Sequence, residues 1–536
     1  MRIDRWQLLA LLIALPTLIP LLVIAASFLY PDPPIWAHLR TYVLPQVVVN
    51  TLWLVLGTAT LTFLFGTSLA WLTSVHEFPG RRFFSWALML PMAMPGYVLA
   101  FVFLGWLDYA GPLQTQLREW FGEEAGSLSL SPRAGSIAVL SLALYPYVFL
   151  LSRGAFLTQG RRALEIGQSL GLSRARGFRR VALPLARPWI AGGIMLVVME
   201  TLADFGAVSV FNYDTFTTAI YKTWFGLFSI SGALQLASVL LLFVLAAIVI
   251  EKRTRAGARY VSLQGGMQPQ RIELQGSRGW VASGYCCATL ALAFVMPAVQ
   301  LLSWSLPALS SDLDLRYFSF VTHSLSLGGM GAVLTLTLAV LLAYAARNNL
   351  GFATRAAVRI GTLGYALPGT ILAIGFFVPV VALNNLLQRL IDTAATGTVL
   401  VLQNTLLVMM LAYAVRFLAV AYTPVESHMQ RMPRCLDEVS RGLGVSGAEM
   451  LRTVHWPLIR SGCLIATILV FVDIMKEMPI TLMTRPFGWD TLAVRVFELT
   501  SEGEWRRAAL PSLAIVLSGL LPVALLTRFS DHAARA

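Results

Sequence analysis

Residues 236–250 read Leu-Ala-Ser-Val-Leu-Leu-Leu-Phe-Val-Leu-Ala-Ala-Ile-Val-Ile, an apolar run closed by Glu251 and Lys252. The stretches 8–29 and 285–304 have the same character. A helix needs about 20 such residues to cross a hydrocarbon layer roughly 30 Å thick. The strands of a membrane barrel would instead alternate over segments of about ten residues. Of 536 residues, 57% are hydrophobic and 12% charged, against about a quarter charged in a water-soluble domain. The fold class is therefore an all-α polytopic membrane protein. The 26 Pro and 41 Gly are spread through apolar runs, which excludes disorder and collagen, and no heptad pattern suggests a coiled coil.

Twelve spans are predicted, near 8–30, 48–74, 85–107, 135–157, 188–211, 233–250, 282–306, 323–346, 357–382, 397–424, 461–484 and 509–527. This placement accounts for the net charge of +13 without nucleic acid: 28 of the 40 basic residues fall in alternate loops on one side, and ten on the other. Arg416 and Lys476 fall within spans. The positive-inside rule puts the crowded side, and both termini, in the cytoplasm. The first apolar run exceeds a signal-peptide core and reads as an anchor. Cys286, Cys287, Cys435 and Cys463 form no CxxC pair, so buried apolar packing is expected of them.

The chain repeats itself at an offset of 273. Pro95-Gly96 falls on Pro368-Gly369, Glu165 on Glu438, Gly171 on Gly444, and Pro184 on Pro457. Tyr145 aligns better with Tyr413, so the register slips and recovers in between. Six spans per half keep the halves parallel, and ligand paths in such proteins lie between repeats. The expected organisation is a first span and loop (1–45), a first transmembrane domain (46–250), a cytoplasmic linker (251–281), a seventh span and loop (282–318) and a second transmembrane domain (319–528).

The loop after the fourth span reads Glu165-Ile-Gly167-Gln-Ser-Leu-Gly171 and continues to Val181-Ala-Leu-Pro184. The loop after the tenth reads Glu438-Val-Ser440-Arg-Gly-Leu-Gly444 and continues to Val454-His-Trp-Pro457. A short amphipathic helix beginning near the Glu can stop at a Gly of positive φ, and the Pro can start the next span. Such a helix, ringed by Arg, suits docking into a groove of another protein.

These duplicated loops resemble the signature of the permease subunits of type I binding-protein-dependent ABC importers. The match runs through Glu165, Gly171, Val181, Leu183 and Pro184, and again through Glu438, Gly444, Val454 and Pro457. Trp456 stands where Leu is usual, and the two alanines of the signature are replaced by Ile166-Gly167 and Val439-Ser440. The resemblance implies that Glu165, Gly167, Gly171 and Pro184, with Glu438, Ser440, Gly444 and Pro457, couple the permease to two copies of a separate ATPase, which binds ATP and Mg. It further implies a periplasmic substrate-binding protein and a place in the bacterial inner membrane, among membrane lipid. The chain's lysines are Lys222, Lys252 and Lys476, none preceded by Gly, so it carries no GxxxxGK phosphate loop. No catalytic residue and no cofactor of its own are expected. Duplication within one chain, the Glu200-to-Gly206 and Asp473-to-Pro479 stretches, Asp214-Thr-Phe-Thr-Thr and Arg485-Pro-Phe-Gly488 resemble the ferric-iron branch. Thiamine or phosphonate import, and a twelve-span secondary transporter, are the alternatives.

Glu200 and Asp204 are four apart, as are their equivalents Asp473 and Glu477, which predicts two pairs each on one helix face. At about 1.5 Å per residue they lie about 20 to 25 Å from the cytoplasmic edge. An ionised carboxylate in lipid costs about 3 kcal/mol, so they should face the bundle interior. With Lys476 they are candidates to line a translocation path between the fifth and eleventh spans, where a hard trivalent cation would favour oxygen. The bland alternative is that Lys476 neutralises Asp473 or Glu477 and the others form packing hydrogen bonds. The six histidines are scattered, and no stable metal site is expected.

Overall fold

The computed structural model describes residues 4–29, 32–122, 130–169, 171–255, 271–349, 351–393, 402–445 and 447–533. The middle of the expected linker, 256–270, and the start of the expected tenth span, 397–401, lie outside these. Among the described residues, twelve helices are long and apolar enough to cross a membrane: Arg5–Leu29, Pro33–Val75, Gly96–Phe121, Pro132–Thr158, Arg174–Ala203, Ile230–Thr254, Ser277–Leu309, Leu315–Asn348, Gly369–Leu390, Leu406–Gln430, Gly447–Lys476 and Trp505–Ala524. They are numbered below as the first to twelfth spans. The only strands among the described residues are the two-residue pair His76–Glu77 and Ile272–Glu273, parallel to each other.

The third and ninth spans depart from the continuous runs expected at 85–107 and 357–382. Each is preceded by a separate helix, Arg81–Ala87 or Phe352–Thr362, and a tight turn, Leu90–Ala93 or Leu363–Ala366. The cause is local: Met94 and Leu367 are extended, at ψ 115° and 130°, because each precedes a proline, Pro95 or Pro368, whose ring disfavours the helical conformation there.

Contacts group the chain into two units that exchange elements between the sequence halves. One comprises Met1–Arg40, Ala219–Leu241 and Ser311–Glu498; the other comprises Thr41–Thr218, Leu242–Ser310 and Leu499–Ala536. In the first, the N-terminal span seats Ile24 and Pro20 against Gly375, a close approach that a side chain there would crowd, and places Ala14 beside Gly361 at ordinary contact distance. In the other, the seventh span donates from Ser283 Oγ to Pro79 O (2.6 Å), and Tyr285 Oη meets Ser68 Oγ at 2.8 Å. Its Trp304 packs on Gly105 and stacks with Phe101. Of the four cysteines, Cys286 and Cys463 are buried as expected, whereas Cys287 and Cys435 are exposed; the first of these exposed thiols points off its span and the second opens a loop helix.

Candidate functional site

The two signature loops each fold into a short helix, Arg161–Ser169 and Cys435–Gly442. Both begin a turn before the Glu rather than at it. Both stop at a left-handed glycine, Gly171 at φ 75° and Gly444 at φ 83°. Leu172 N donates to Gly167 O and Val445 N to Ser440 O, each at 2.9 Å, closing the same terminal turn and satisfying otherwise orphaned carbonyls. Pro184 and Pro457 lie in the first turns of the helices Leu183–Ala203 and Trp456–Lys476, but each follows directly on a π-helical turn, Phe178–Ala182 or Leu451–His455, so the spans begin before the prolines and not at them.

The small residue two after each Glu has a visible cause. A Cβ on Gly167 would stand 3.2 Å from Gly177 Cα, so this helix lies directly on the backbone of the next. Ser440 is buried and returns its hydroxyl to Leu436 O at 2.7 Å. Glu165 and Glu438 face outward, beside exposed Ile166, Val439 and Leu443. Acidic and apolar groups thus share the outer face of each short helix.

What holds each helix down differs between the copies. Under the first lies an apolar cluster: Leu164, 3% exposed, with Phe156, Trp71 and Phe178 packed around it. Trp71 sits 5.1 Å from the Phe156 ring and 4.5 Å from the Phe178 ring. Under the second lies a charged cluster. Arg347 grips Asp437 with two bonds, Nε to Oδ2 at 2.8 Å and a terminal nitrogen to Oδ1 at 3.1 Å. His455 Nε2 reaches the same Oδ1 at 2.9 Å. Arg347 also donates to Met429 O at 2.7 Å, tying the helix to the end of the tenth span. The offset of 273 places Asp437 on Leu164, Arg347 on Ser74 and His455 on Ala182. That triple exchange was readable as a signal, but the sequence reading treated His455 as scattered and passed over Asp437 and Arg347.

Burial alone would raise the Asp437 carboxyl, but hydrogen bonds and charge from Arg347 and His455 outweigh it and hold it below the usual carboxylate range. A depressed folded value means that its contribution is present above the unfolded value, about 3.9, and is lost as pH falls through the folded one. Asp437→Asn should therefore melt below wild type at pH 7, with the gap closing towards pH 3. A gap that is constant across that range would show that the carboxylate's charge is not what holds the helix.

The intramembrane carboxylates are not arranged as two pairs on continuous helix faces. The fifth span's helix ends at Ala203 and the eleventh's at Lys476; Asp204 and Glu477 are extended, at ψ 129° and 115°. Each carboxylate caps the short helix that follows, Asp204 Oδ1 accepting from Val208 N and Glu477 Oε1 from Ile480 N, both at 3.1 Å. Each residue's carbonyl accepts a threonine hydroxyl, from Thr217 at 2.6 Å and Thr481 at 2.8 Å. Thus Asp204 and Glu477 sit at breaks, and Glu200 and Asp473 lie in the last turns of the preceding helices. Glu200, Asp473 and Lys476 are partly exposed, and each has a partner.

Glu477 is paired with Arg416. Arg416 Nε lies 3.1 Å from Glu477 Oε2, with both side chains about a tenth exposed or less, and Arg416 donates to Leu367 O at 2.7 Å. One arginine therefore ties the break after the eleventh span to the break before the ninth. Tyr413, fully buried, adds a hydroxyl contact to Thr481. In the other unit Tyr145 donates instead to Leu88 O at 2.9 Å.

A glycine faces each capping carboxylate. A Cβ on Gly369 would stand 2.7 Å from Glu477 Oε1 and 3.1 Å from Pro479, whereas one on Gly96 would stand 3.7 Å from Asp204 Oδ2. Gly369→Ala should consequently cost about 1 to 3 kcal/mol as an overpacked site, and Gly96→Ala clearly less. Comparing their melting temperatures in detergent checks this; equal losses would contradict the packing described.

A mostly helical, polytopic chain agrees with the comparison to known proteins. Residues 63–255 match the family described as the inner membrane component of binding-protein-dependent transport systems. That stretch of the chain carries this permease family's domain. Over 90% of its length the permease is 27% identical to 90% of the Fe(3+)-transport system permease protein FbpB 2 of Haemophilus influenzae. It is 24% identical to the probable ABC transporter permease protein y4fN of Sinorhizobium fredii, over 81% of this chain and 78% of that one. A shorter stretch, 30% of this chain and 56% of the relative, is 30% identical to the sulfate transport system permease protein CysW of Escherichia coli. The permease is a transport subunit of an ABC importer, not an enzyme. As a class such permeases work with an ATPase and a substrate-binding protein.

Proposed function

We propose that this permease moves iron(III), handed over by a periplasmic binding protein, across the bacterial inner membrane into the cytoplasm. The observation that carries the reading is likeness to an iron(III) permease along nine-tenths of both chains. It favours iron over thiamine or a phosphonate, and an ATP-driven importer over a secondary transporter. Power comes from two ATPase copies, each holding ATP and Mg, one docked on the Glu165 helix and one on the Glu438 helix. The excess of arginine in alternate loops supports cytoplasmic termini.

Glu200, Asp204, Asp473, Lys476 and Glu477 shape the path in this reading. Asp204 and Glu477 brace breaks from which the chain can bend, while Glu200, Asp473 and Lys476, a turn or less away, present charge to the passing cation. A path must release its cargo, so iron binds only in transit and no resident metal site is required. The test is competition in proteoliposomes holding permease, ATPase and binding protein. Uptake of radiolabelled iron(III) should persist in excess thiamine or phosphonate. Loss of iron uptake to either competitor, with accumulation of that competitor, would overturn the assignment.

A further inference from the structure

Beside the second docking helix lies a cavity of about 480 Å³ that the transport reading does not use. It opens among the end of the eighth span, the helix Phe352–Thr362 and the end of the tenth span. Four arginines line it, Arg347, Arg355, Arg359 and Arg434, against a single carboxylate, Glu426. Arg355, Arg359 and Arg434 form no ion pair among the described residues. Arg355 and Arg359 stand four apart on one helix, a spacing at which like charges repel. Thr354 is buried on the wall, and Glu426 accepts from Gln430 Nε2 at 3.1 Å. An adjoining recess of about 410 Å³ shares Arg355 and Arg359 and adds Phe352, which is 82% exposed, with Ala356 and Ile360.

We infer that this cavity binds a phosphate-bearing anion. Guanidinium forks match phosphate oxygens two at a time, and several together leave a net positive charge that only an anion offsets. Arginines beside exposed apolar groups at the end of membrane helices suit a phospholipid headgroup, and the same chemistry would take free inorganic phosphate. The first half repeats the site only in part: the offset of 273 puts Arg82 at Arg355 and Arg161 at Arg434, but Ser74 at Arg347 and Trp86 at Arg359. Arg347 both lines the cavity and clamps Asp437. Occupancy of the cavity therefore acts on the anchoring of one docking helix and sets how strongly that helix couples to the ATPase. None of this depends on which substrate is carried.

The experiment uses the permease–ATPase complex in nanodiscs of phosphatidylcholine. Inorganic phosphate is titrated in one arm and short-chain phosphatidylglycerol in another, with short-chain phosphatidylcholine as control, reading thermal stabilisation and ATPase rate. Saturable binding in either anionic arm is expected, and which arm responds identifies the source. At about fivefold per arginine, Arg355→Gln with Arg359→Gln should weaken it about 25-fold without lowering the melting temperature of the unliganded complex, since both side chains are exposed. Glu426→Gln should tighten it severalfold. Binding in neither arm, or equal binding by wild type and the double arginine variant, would overturn the inference.

Discussion

Replacing Gly171 and Gly444 together by valine should leave the permease in the membrane and remove its response to the ATPase. Both glycines hold φ near 80°, a region costing an L-residue about 1 to 2 kcal/mol and a β-branched one more. Nothing lies within 4 Å of a Cβ at either position, so the penalty is one of backbone conformation and not of packing. Relaxing that strain unwinds the last turn, with its bonds from Leu172 N to Gly167 O and Val445 N to Ser440 O, and re-aims the outward Glu165 and Glu438. The readout is ATPase activity stimulated by loaded binding protein, expected to fall at least about tenfold, as ~1.4 kcal/mol at one loop alone would give. Gly442→Ala, inside the helix and also without close neighbours, is the control that should retain activity. Wild-type stimulation in the double valine variant would separate these loops from coupling.

The second large effect concerns Arg416 and Glu477. Removing either partner leaves a charge buried without its counter-ion, at a cost of about 3 to 5 kcal/mol. Arg416→Met and Glu477→Leu should each lower thermal stability sharply, and the double variant should recover most of the loss, because two apolar groups of similar size replace a desolvated pair. Uptake separates two roles for Glu477. If it also shapes the path, the double variant is stable yet transports poorly. If uptake recovers along with stability, Glu477 is a brace alone. A double variant as unstable as the singles would contradict the pairing.

The twelve spans were legible because a membrane span is specified by a contiguous apolar run, and the two short signature helices because Glu and Gly each act within a few residues of where they stand. Pro95 and Pro368 were equally visible, but the runs around them stay apolar through the break, and hydrophobicity does not register a change of helix axis. Asp204 and Glu477 were found and assigned the wrong local geometry: four-residue spacing implies one face only where the helix continues. The Arg347–Asp437 and Arg416–Glu477 pairs join residues far apart in sequence, 90 positions in the first case. No local pattern encodes them. For the first, the mismatch between the repeats at Leu164 and Asp437 was the available clue. The exchange of the first and seventh spans between units was hidden for the same reason: the repeat is a property of order along the chain, and packing partners are not.

The reading rests on ATP hydrolysis by a docked partner driving iron(III) inward, and one measurement addresses it most directly. Proteoliposomes containing permease and ATPase, with loaded binding protein on the periplasmic face and ATP and Mg on the other, are followed for internal radiolabelled iron. Accumulation that requires ATP and binding protein, and that disappears in the Gly171→Val, Gly444→Val variant, is the required result. Iron accumulation driven by an ion gradient without ATP, or ATP-dependent turnover with no iron inside, would contradict it.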